Sequence, residues 1–258
     1  MQVVILCGGY GTRLREETEF RPKPMVMVGG RPILWHIMKM YAAHGFKRFI
    51  LCLGYKGEMI KEYFLNYEAM NRDFTITLGE RHRIQLHGAH DEEDFQVTLA
   101  ETGHDAMTGG RIKAIEPYID GEDFMVTYGD GLSDVPLATL ADFHRRHGGV
   151  ATVTAVSPVS RFGVLELEEG GRVARFQEKP KVHGVVSAGF FVFNRKIFDY
   201  LDGGPAQVLE QEPLMRLADE GKLHAFRHEG FFYAMDTYRE YQQLQKMWSS
   251  GEAPWKVW

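Results

Sequence analysis

A glycine-rich segment that carries one arginine is the part of this sequence best suited to chemistry. Gly8, Gly9 and Gly11 come directly after an apolar run, and Thr12 and Arg13 follow them. Glycines let the backbone approach a ligand closely, and successive backbone N–H groups can form a concave anion site. The hydroxyl of Thr12 and the permanently charged guanidinium of Arg13 suit a phosphate group. The segment therefore predicts a phosphate-binding loop.

Three other types of glycine loop compete with this interpretation. A dinucleotide-binding loop has a third glycine, but Arg13 and Leu14 follow Gly11 here instead. A Walker loop needs four residues between its glycines and then Gly-Lys-Ser/Thr, and that pattern is absent. A plain turn between a strand and a helix stays open, although it leaves Arg13 unexplained.

A lysine between two prolines strengthens the phosphate interpretation. Pro22 and Pro24 fix the backbone on either side of Lys23 and predict an extended segment. A lysine on a stiff segment near a glycine loop could clamp a polyphosphate. Taken alone, Lys23 could equally be an ordinary exposed loop residue.

Two aspartates are candidate ligands for magnesium. Asp130 follows a predicted strand within Gly129-Asp130-Gly131, and ligands of open α/β sheets bind beyond the carboxyl ends of strands. Magnesium prefers carboxylate and phosphate oxygens. Asp236 follows the strand-like run FFYAM, but it could also be the N-cap of the next helix or directly precede Thr237 as the cap. A tight turn at Asp130 is the competing interpretation there.

Other polar residues carry weaker signals. Glu178 and Lys179 precede a proline and could form an exposed turn, or bind the hydroxyls and phosphate of a sugar phosphate. The two cysteines, Cys7 and Cys52, lie in apolar runs and read as buried core thiols. His82, His87 and His90 read as exposed. We see no zinc pattern and no convincing Ser-His-Asp or Cys-His set.

The elements that must position these residues alternate between strand and helix over roughly the first 150 residues. This alternation predicts an α/β fold with a mostly parallel sheet flanked by helices. Strand-like runs dominate afterwards, including a single run VSAGFFVF over 186–193 and a helix over 207–220, before a final helix near 238–248. We expect one domain over 1–258, with a nucleotide-binding half to about residue 150 and a strand-rich sugar-phosphate-binding half with a C-terminal helix after it.

The composition limits the kinds of partner that this protein is expected to bind. The chain has 30 basic and 35 acidic residues and a net charge of −5, so it lacks the basic footprint of a nucleic-acid-binding protein. No stretch approaches the ~20 apolar residues of a membrane span. We expect no membrane partner and a cytoplasmic location.

The motifs together resemble the sugar nucleotidyltransferases. ILCGGYGTRL followed by RPKPM is similar to their signature, and MTGGR, YGDG, QEKP and MDT point to the members that use CTP. The resemblance runs along nearly the whole chain. It implies a Rossmann-like core, transfer of CMP from CTP to a sugar 1-phosphate such as glucose 1-phosphate, Mg²⁺ as cofactor, and a homo-oligomer of trimer or hexamer type.

The resemblance also implies roles for individual residues. Catalysis would depend on Arg13, Lys23 and Asp130, and the metal would be bound by Asp130 and Asp236. The nucleotide would be bound by Leu6, Cys7, Gly8, Gly9, Gly11, Thr12, Arg13, Lys23, Gly103 and Arg111. The sugar phosphate would be bound by Lys23, Tyr128, Gly129, Glu178, Lys179 and Ser187.

One departure from the family pattern concerns the acceptor. The family usually shows Asn-Gly-Gly-Phe-Phe where this chain has Ser187-Ala188-Gly189-Phe190-Phe191. A serine is shorter than an asparagine and has one donor instead of two. A thymidylyl- or uridylyltransferase, a different phosphorylated acceptor, a non-catalytic subunit that senses nucleotide sugars, and a nicotinamide dehydrogenase are the alternatives.

Overall fold

The computed structural model describes residues 1–79, 83–90, 92, 94–158, 162–178 and 184–258. Within them, none of the helices is both long and apolar enough to cross a lipid bilayer. The α-helices of these residues are α1 (Arg15–Thr18), α2 (Ile33–Ala43), α3 (Gly57–Leu65), α4 (Tyr67–Asn71), α5 (Thr108–Ala114), α6 (Leu137–His147), α7 (Glu212–Asp219) and α8 (Tyr238–Ser249).

Strands and short 3-10 turns make up the remaining regular structure. The strands are β1 (Val3–Leu6), β2 (Met27–Val28), β3 (Arg31–Pro32), β4 (Arg48–Leu53), β5 (Asp73–Thr77), β6 (Arg83–His87), β7 (Gln96–Glu101), β8 (Asp123–Tyr128), β9 (Gly131–Ser133), β10 (Ala151–Val156), β11 (Val164–Leu167), β12 (Val173–Gln177), β13 (Val186–Ser187), β14 (Phe191–Asn194), β15 (Leu223–His228) and β16 (Phe232–Ala234). The 3-10 turns are Thr12–Leu14, Lys23–Met25, Glu116–Tyr118, Glu169–Gly171 and Arg195–Tyr200.

The central sheet is mixed and mostly parallel, which confirms the expected fold class. Strands β7, β4, β1 and β8 pair in parallel in that order. Next to β8 lies antiparallel β14, which pairs with β10, and β10 pairs in parallel with β15. Because β14 comes from the second half of the chain, both halves contribute to one sheet.

Alternate residues of the first strand bury opposite faces of this sheet. Val3 and Ile5 belong to a core that also contains apolar residues of α2 and Leu244 of α8. Val4 and Leu6 belong to the core on the other face, which contains Ile112 of α5. Side chains alternate along a strand, so a continuous apolar run is what a strand covered on both faces requires. Both cysteines are buried and free, as expected.

Two predicted elements differ from the structure. The run VSAGFFVF forms two strands, β13 and β14, because the backbone has positive φ at Gly189 (74°) and Phe190 (43°). Both strands pair with β10, so the break is a bulge that turns the segment carrying Ser187. The helix expected over 207–220 begins only at Glu212, because the carbonyl groups of the preceding residues accept hydrogen bonds from another helix.

The histidines near the β5–β6 hairpin differ from one another. His87 is exposed as expected, and His82 lies outside the described residues. His90 was expected to be exposed, but its side chain is only 9% exposed. It packs edge-on against Tyr67 and its Nε2 lies 2.9 Å from a carboxylate oxygen of Glu68.

The C-terminal segment completes the core that contains the apolar residues of α2. Trp255 is fully buried and stacks on Trp248 of α8. Its indole N–H donates to Nδ1 of His36 at 3.3 Å, and His36 Nε2 in turn donates to the carbonyl oxygen of Val28 at 2.8 Å. Burial lowers the pKa of His36 to about 4, so the neutral ring holds this arrangement at neutral pH.

A second histidine makes folding stability sensitive to acid. His147 Nδ1 accepts the N–H of Gly149 at 2.9 Å, so Nε2 carries the proton and donates to Thr152 Oγ1 at 2.7 Å. Burial, and then the neighbouring rings of His224 and His144, lower the pKa of His147 to about 4. A proton on Nδ1 would face the N–H donor of Gly149, so the folded state disfavours the charged ring.

We therefore expect the melting temperature to fall as the pH drops from about 6.5 towards 4. The unfolded chain takes up a proton near pH 6.5 and the folded chain does not, so protonation favours unfolding in this window. The contribution of His147 is measured by thermal melts of His147→Gln, whose amide can make both hydrogen bonds without titrating. This variant should lose part of the pH dependence, and His104→Gln at an exposed histidine serves as the control. An unchanged pH profile in His147→Gln would contradict the assignment.

Candidate active site

The glycine loop and Asp130 lie close together because the strands that precede them are neighbours. Strands β1 and β8 are parallel and end in register, with Leu6 beside Tyr128. The N–H of Gly129 donates to the carbonyl oxygen of Leu6 at 3.1 Å. A Cβ at position 129 would lie 2.9 Å from that oxygen and 2.8 Å from Pro24, so only glycine allows this approach.

A cavity of about 290 Å³ opens at this edge of the sheet. Its lining contains most of the residues predicted to bind the nucleotide, and they come from both strand ends and from the start of α5. The lining residues are Leu6, Cys7, Gly8, Gly9, Gly11, Thr12, Arg13, Lys23, Pro24, Ala106, Met107, Thr108, Arg111, Tyr128, Gly129 and Asp130. Ligand sites of open α/β sheets lie beyond the carboxyl ends of the strands, as this cavity does.

The segment that carries Lys23 is extended only in part. Pro22 has an extended backbone, but Lys23–Met25 form a 3-10 turn in which Met25 N–H donates to the Pro22 carbonyl at 2.8 Å. The expected extended conformation at Lys23 is therefore wrong. Proline has no backbone N–H, but the N–H groups in the first turn of a helix make no hydrogen bond within the helix. Pro24 is therefore compatible with this turn.

Lys23 joins the two aspartates that the sequence could not place together. Its Nζ lies 2.5 Å from Oδ2 of Asp130 and 2.8 Å from Oδ1 of Asp236, and its side chain is only 13% exposed. Burial alone would lower the pKa of Lys23, but the two carboxylates outweigh that effect and raise it. Lys23 therefore keeps its charge at neutral pH.

Arg13 completes the charged cluster from the glycine loop. Its Nη1 lies 3.1 Å from Oδ2 of Asp236, and the side chain is largely exposed. The N-cap of α8 is Thr237, while Glu240 accepts the N–H groups of both Asp236 and Thr237 at 2.8 Å. The side chain of Asp236 therefore faces the cavity cations and does not cap the helix.

Arg111 lines the cavity, but its guanidinium binds the protein itself. The side chain is buried, with 5% exposure, and it donates from Nη1 and Nη2 at 2.7–3.2 Å. The acceptors are the carbonyl oxygens of Leu53, Gly103, Gly8 and His104 and the hydroxyl of Thr102. In this arrangement Arg111 holds the glycine loop against two neighbouring segments, and Gly103 takes part as one of its acceptors.

The glycines of the MTGGR motif allow a backbone segment to cap α5. The N–H of Met107 donates to the carbonyl of Pro205 at 2.8 Å, and those of Gly109 and Gly110 donate to the carbonyl of Gln207 at 3.0 and 3.2 Å. A Cβ at position 110 would lie 2.4 Å from the Pro205 oxygen. These carbonyls satisfy the N–H groups at the start of the helix that lack intrahelical partners.

The residues expected around the sugar phosphate are less closely gathered. Tyr128 and Gly129 line the cavity, whereas Glu178 is exposed at the end of the β11–β12 hairpin and is not among the lining residues. Ser187 is exposed, and its Oγ accepts the N–H of Gly189 at 3.3 Å. Lys179 lies outside the described residues, so its expected role stays a prediction.

Two residues at the cavity, Thr108 in its lining and Glu210 behind it, were not predicted from the sequence. Thr108 begins α5, and its hydroxyl donates to Glu210 at 2.6 Å. Glu210 also accepts a hydrogen bond from the hydroxyl of Tyr128. The run around Glu210 resembles the start of an amphipathic helix, so no local signal in the sequence distinguished this carboxylate.

Proteins of known family are similar to this chain in sequence. A profile of the family described as nucleotidyl transferase matches residues 2–234. The chain is 51% identical to the glucose-1-phosphate cytidylyltransferase of Salmonella typhi and 47% identical to the probable glucose-1-phosphate cytidylyltransferase of Bacillus subtilis, with all of each chain covered.

A solved structure supports the same fold. UDP-glucose pyrophosphorylase in complex with UDP-glucose superimposes with a TM-score of 0.70 at 17% identity, covering 97% of this chain and 98% of that one. The family profile, the full-length relatives and the cluster of Arg13, Lys23 and two aspartates at the end of a glycine loop agree. The chain is therefore an enzyme that belongs to the nucleotidyl transferase family.

Proposed function

We propose that this enzyme transfers CMP from CTP to glucose 1-phosphate and releases pyrophosphate. The observation that carries the chemistry is the ammonium of Lys23 between Asp130 and Asp236, beside Arg13, in the lining of the glycine-loop cavity. The choice of CTP and glucose 1-phosphate is supported by the names of the two full-length relatives.

The reaction is an in-line displacement at phosphorus. A phosphate oxygen of glucose 1-phosphate forms a bond to the α-phosphorus of CTP, and the bond from that phosphorus to the bridging oxygen of pyrophosphate breaks. The attacking oxygen is already anionic, so no protein nucleophile is needed. The enzyme contributes by positioning both substrates and neutralising charge on the transferring group. Lys23 and Arg13 supply two of the required positive charges.

Asp130 and Asp236 have the chemistry of a Mg²⁺ site. Their carboxylates already hold one cation, the Lys23 ammonium, between them. Among the described residues there is no group of three or more His, Cys, Asp or Glu side chains that could hold a metal, so further ligands would come from water and substrate phosphates. Mg²⁺ is commonly bound in this way, through one or two carboxylates, and when bound it neutralises phosphate charge.

Replacing Asp236 with asparagine tests the metal assignment. We expect Asp236→Asn to raise the Mg²⁺ concentration for half-maximal turnover about tenfold, since one anionic ligand is lost. Calorimetric titration of Mg²⁺ into the enzyme with CTP bound should show the same factor in Kd. Asp142→Asn removes an exposed carboxylate elsewhere and should change neither value. Unchanged Mg²⁺ binding in Asp236→Asn would refute the role.

A substrate matrix tests the reaction itself. Four nucleoside triphosphates are combined with several sugar 1-phosphates, and pyrophosphate release is measured. We expect the highest kcat/KM with CTP and glucose 1-phosphate, and the matrix includes other sugars because Ser187 stands where the family has asparagine. No release with CTP and any sugar 1-phosphate would overturn the assignment. The homo-oligomer and the cytoplasmic location stay predictions.

A further inference from the structure

One carboxylate links the two walls of the active-site cavity. Glu210 accepts a hydrogen bond from the Thr108 hydroxyl through Oε2 at 2.6 Å and from the Tyr128 hydroxyl through Oε1. Thr108 and Tyr128 both line the cavity, while Glu210 is exposed and is not itself a lining residue. A single side chain therefore holds two cavity residues that come from different elements.

On the nucleotide side of the cavity, Glu210 contacts α5 through Thr108. Thr108 is the first residue of this helix, and its Oγ1 also accepts the N–H of Leu209 at 2.9 Å. Three residues further along, Arg111 holds the carbonyl of Gly8 in the glycine loop. Glu210 is thus connected to the part of the enzyme that binds the nucleotide in the proposed function.

On the acceptor side, the link is tied to the segment that departs from the family pattern. Tyr128 is the last residue of β8, two positions before Asp130. Its ring packs edge-on against Phe191 and lies so close to Gly189 that a Cβ there would approach Cδ2 to 2.7 Å. Gly189 donates its N–H to Ser187, so Tyr128 contacts the segment expected to face the sugar.

The hydrogen bond to Glu210 determines what Tyr128 can offer a ligand. A phenol has one proton, and Tyr128 donates it to Glu210, so the oxygen has only its lone pairs left for a ligand. A ligand group that meets this oxygen must therefore donate a hydrogen bond, as a sugar hydroxyl does.

We propose that Glu210 is a positioning residue: it directs the Tyr128 hydroxyl so that its oxygen accepts a hydrogen bond from a hydroxyl of the acceptor sugar. Through Thr108 the same carboxylate fixes this wall relative to the nucleotide side. The proposal rests on the proposed function, because it assigns the sugar of that reaction to the Tyr128 side of the cavity.

A double-mutant cycle on Glu210 and Tyr128 tests the proposal. We expect Glu210→Ala and Tyr128→Phe each to raise KM for glucose 1-phosphate about tenfold, the effect of losing one hydrogen bond that involves a charged group. KM for CTP should change less than about twofold. The double variant should be no worse than either single variant, since both changes remove one interaction. Glu210→Gln, which keeps one acceptor oxygen, should fall between wild type and Glu210→Ala.

A nearby exposed carboxylate provides the matched control. Glu212→Ala removes an exposed carboxylate two residues away that pairs with Arg216, and it should keep wild-type constants. Glu210→Ala with wild-type KM for glucose 1-phosphate, or single effects that multiply in the double variant, would overturn the positioning role. Equal rises in both KM values together with a lower melting temperature would also overturn it, because that pattern indicates a structural role.

The cycle separates this proposal from the proposed function. Wild-type turnover with CTP and glucose 1-phosphate is measured first, and its absence counts against the function alone. The same four proteins are then scored with the substrate pair of highest turnover in the matrix and by calorimetric Kd for its acceptor. A non-additive loss of acceptor affinity there would still support Glu210, and additive losses would still refute it.

Discussion

Lys23→Ala is expected to lower kcat/KM by about a thousandfold and to leave the protein folded. Asp130 and Asp236 hold the ammonium in the cavity lining, where the proposed reaction would place the charge of the transferring phosphoryl group. Removing one preorganised charge donor from a transition state costs about 3–4 kcal/mol, which is roughly two to three orders of magnitude in rate. Pyrophosphate release at saturating and limiting CTP measures the loss, and circular dichroism checks the fold.

Two further variants make this result specific. Lys23→Arg keeps the charge but replaces a compact ammonium with a wider planar group, so we expect it to recover only part of the activity. Lys47→Ala removes an exposed lysine that pairs with Asp94, and it should behave as wild type. If Lys23→Ala kept wild-type kcat/KM, the role of the cluster in catalysis would be wrong.

Arg111→Met is expected to impair both stability and nucleotide binding. Its guanidinium donates to five acceptors in a buried position, and methionine fills similar space without any donor. Each buried polar group left without a partner costs about 1–3 kcal/mol, and water can satisfy some of them, so we expect the free energy of unfolding to fall by about 3 kcal/mol. KM for CTP should rise at least about tenfold, because the Gly8 carbonyl loses its anchor.

Chemical denaturation and CTP kinetics together distinguish two roles for Arg111. An anchor predicts that both the unfolding free energy and CTP binding suffer. A direct contact with the nucleotide, as the family resemblance implies, predicts a rise in KM with little change in stability. Lys113→Met, two residues further along α5 and partly exposed, is the matched control and should have a small effect on both measurements. Wild-type stability in Arg111→Met would contradict the anchoring role.

The parts of the site that depend on local rules could be predicted from the sequence. An apolar run followed by glycines indicates a buried strand and a tight connection to the next element, and this predicts where Gly8 and Asp130 lie along the sheet edge. The buried positions of Cys7 and Cys52 follow from the same apolar runs. That the two loops meet is a finding of the structure, in which β1 and β8 are parallel neighbours.

The parts that depend on distant contacts could not be predicted from spacing. Lys23 pairs with residues 107 and 213 positions away, and neither separation leaves a periodic signal. The family resemblance implies that Arg111 binds the nucleotide, whereas its buried guanidinium donates to four backbone carbonyls and one hydroxyl. The glycines beside it let Pro205 and Gln207 reach the start of α5, which is again a contact between distant parts of the chain.

The position of Trp255 has a consequence for the time at which the enzyme can fold during translation. Its indole bonds to a histidine 219 residues earlier in the chain and fills the core that packs on α2. That core stays incomplete until the segment that carries Trp255 has left the ribosome. Domains commonly fold from the N-terminus during synthesis, and contacts of high sequence separation form slowly. The nascent chain must therefore leave His36 of α2 without its indole partner until that segment is available, whereas strand residues made earlier can already cover the rest of the apolar face of α2.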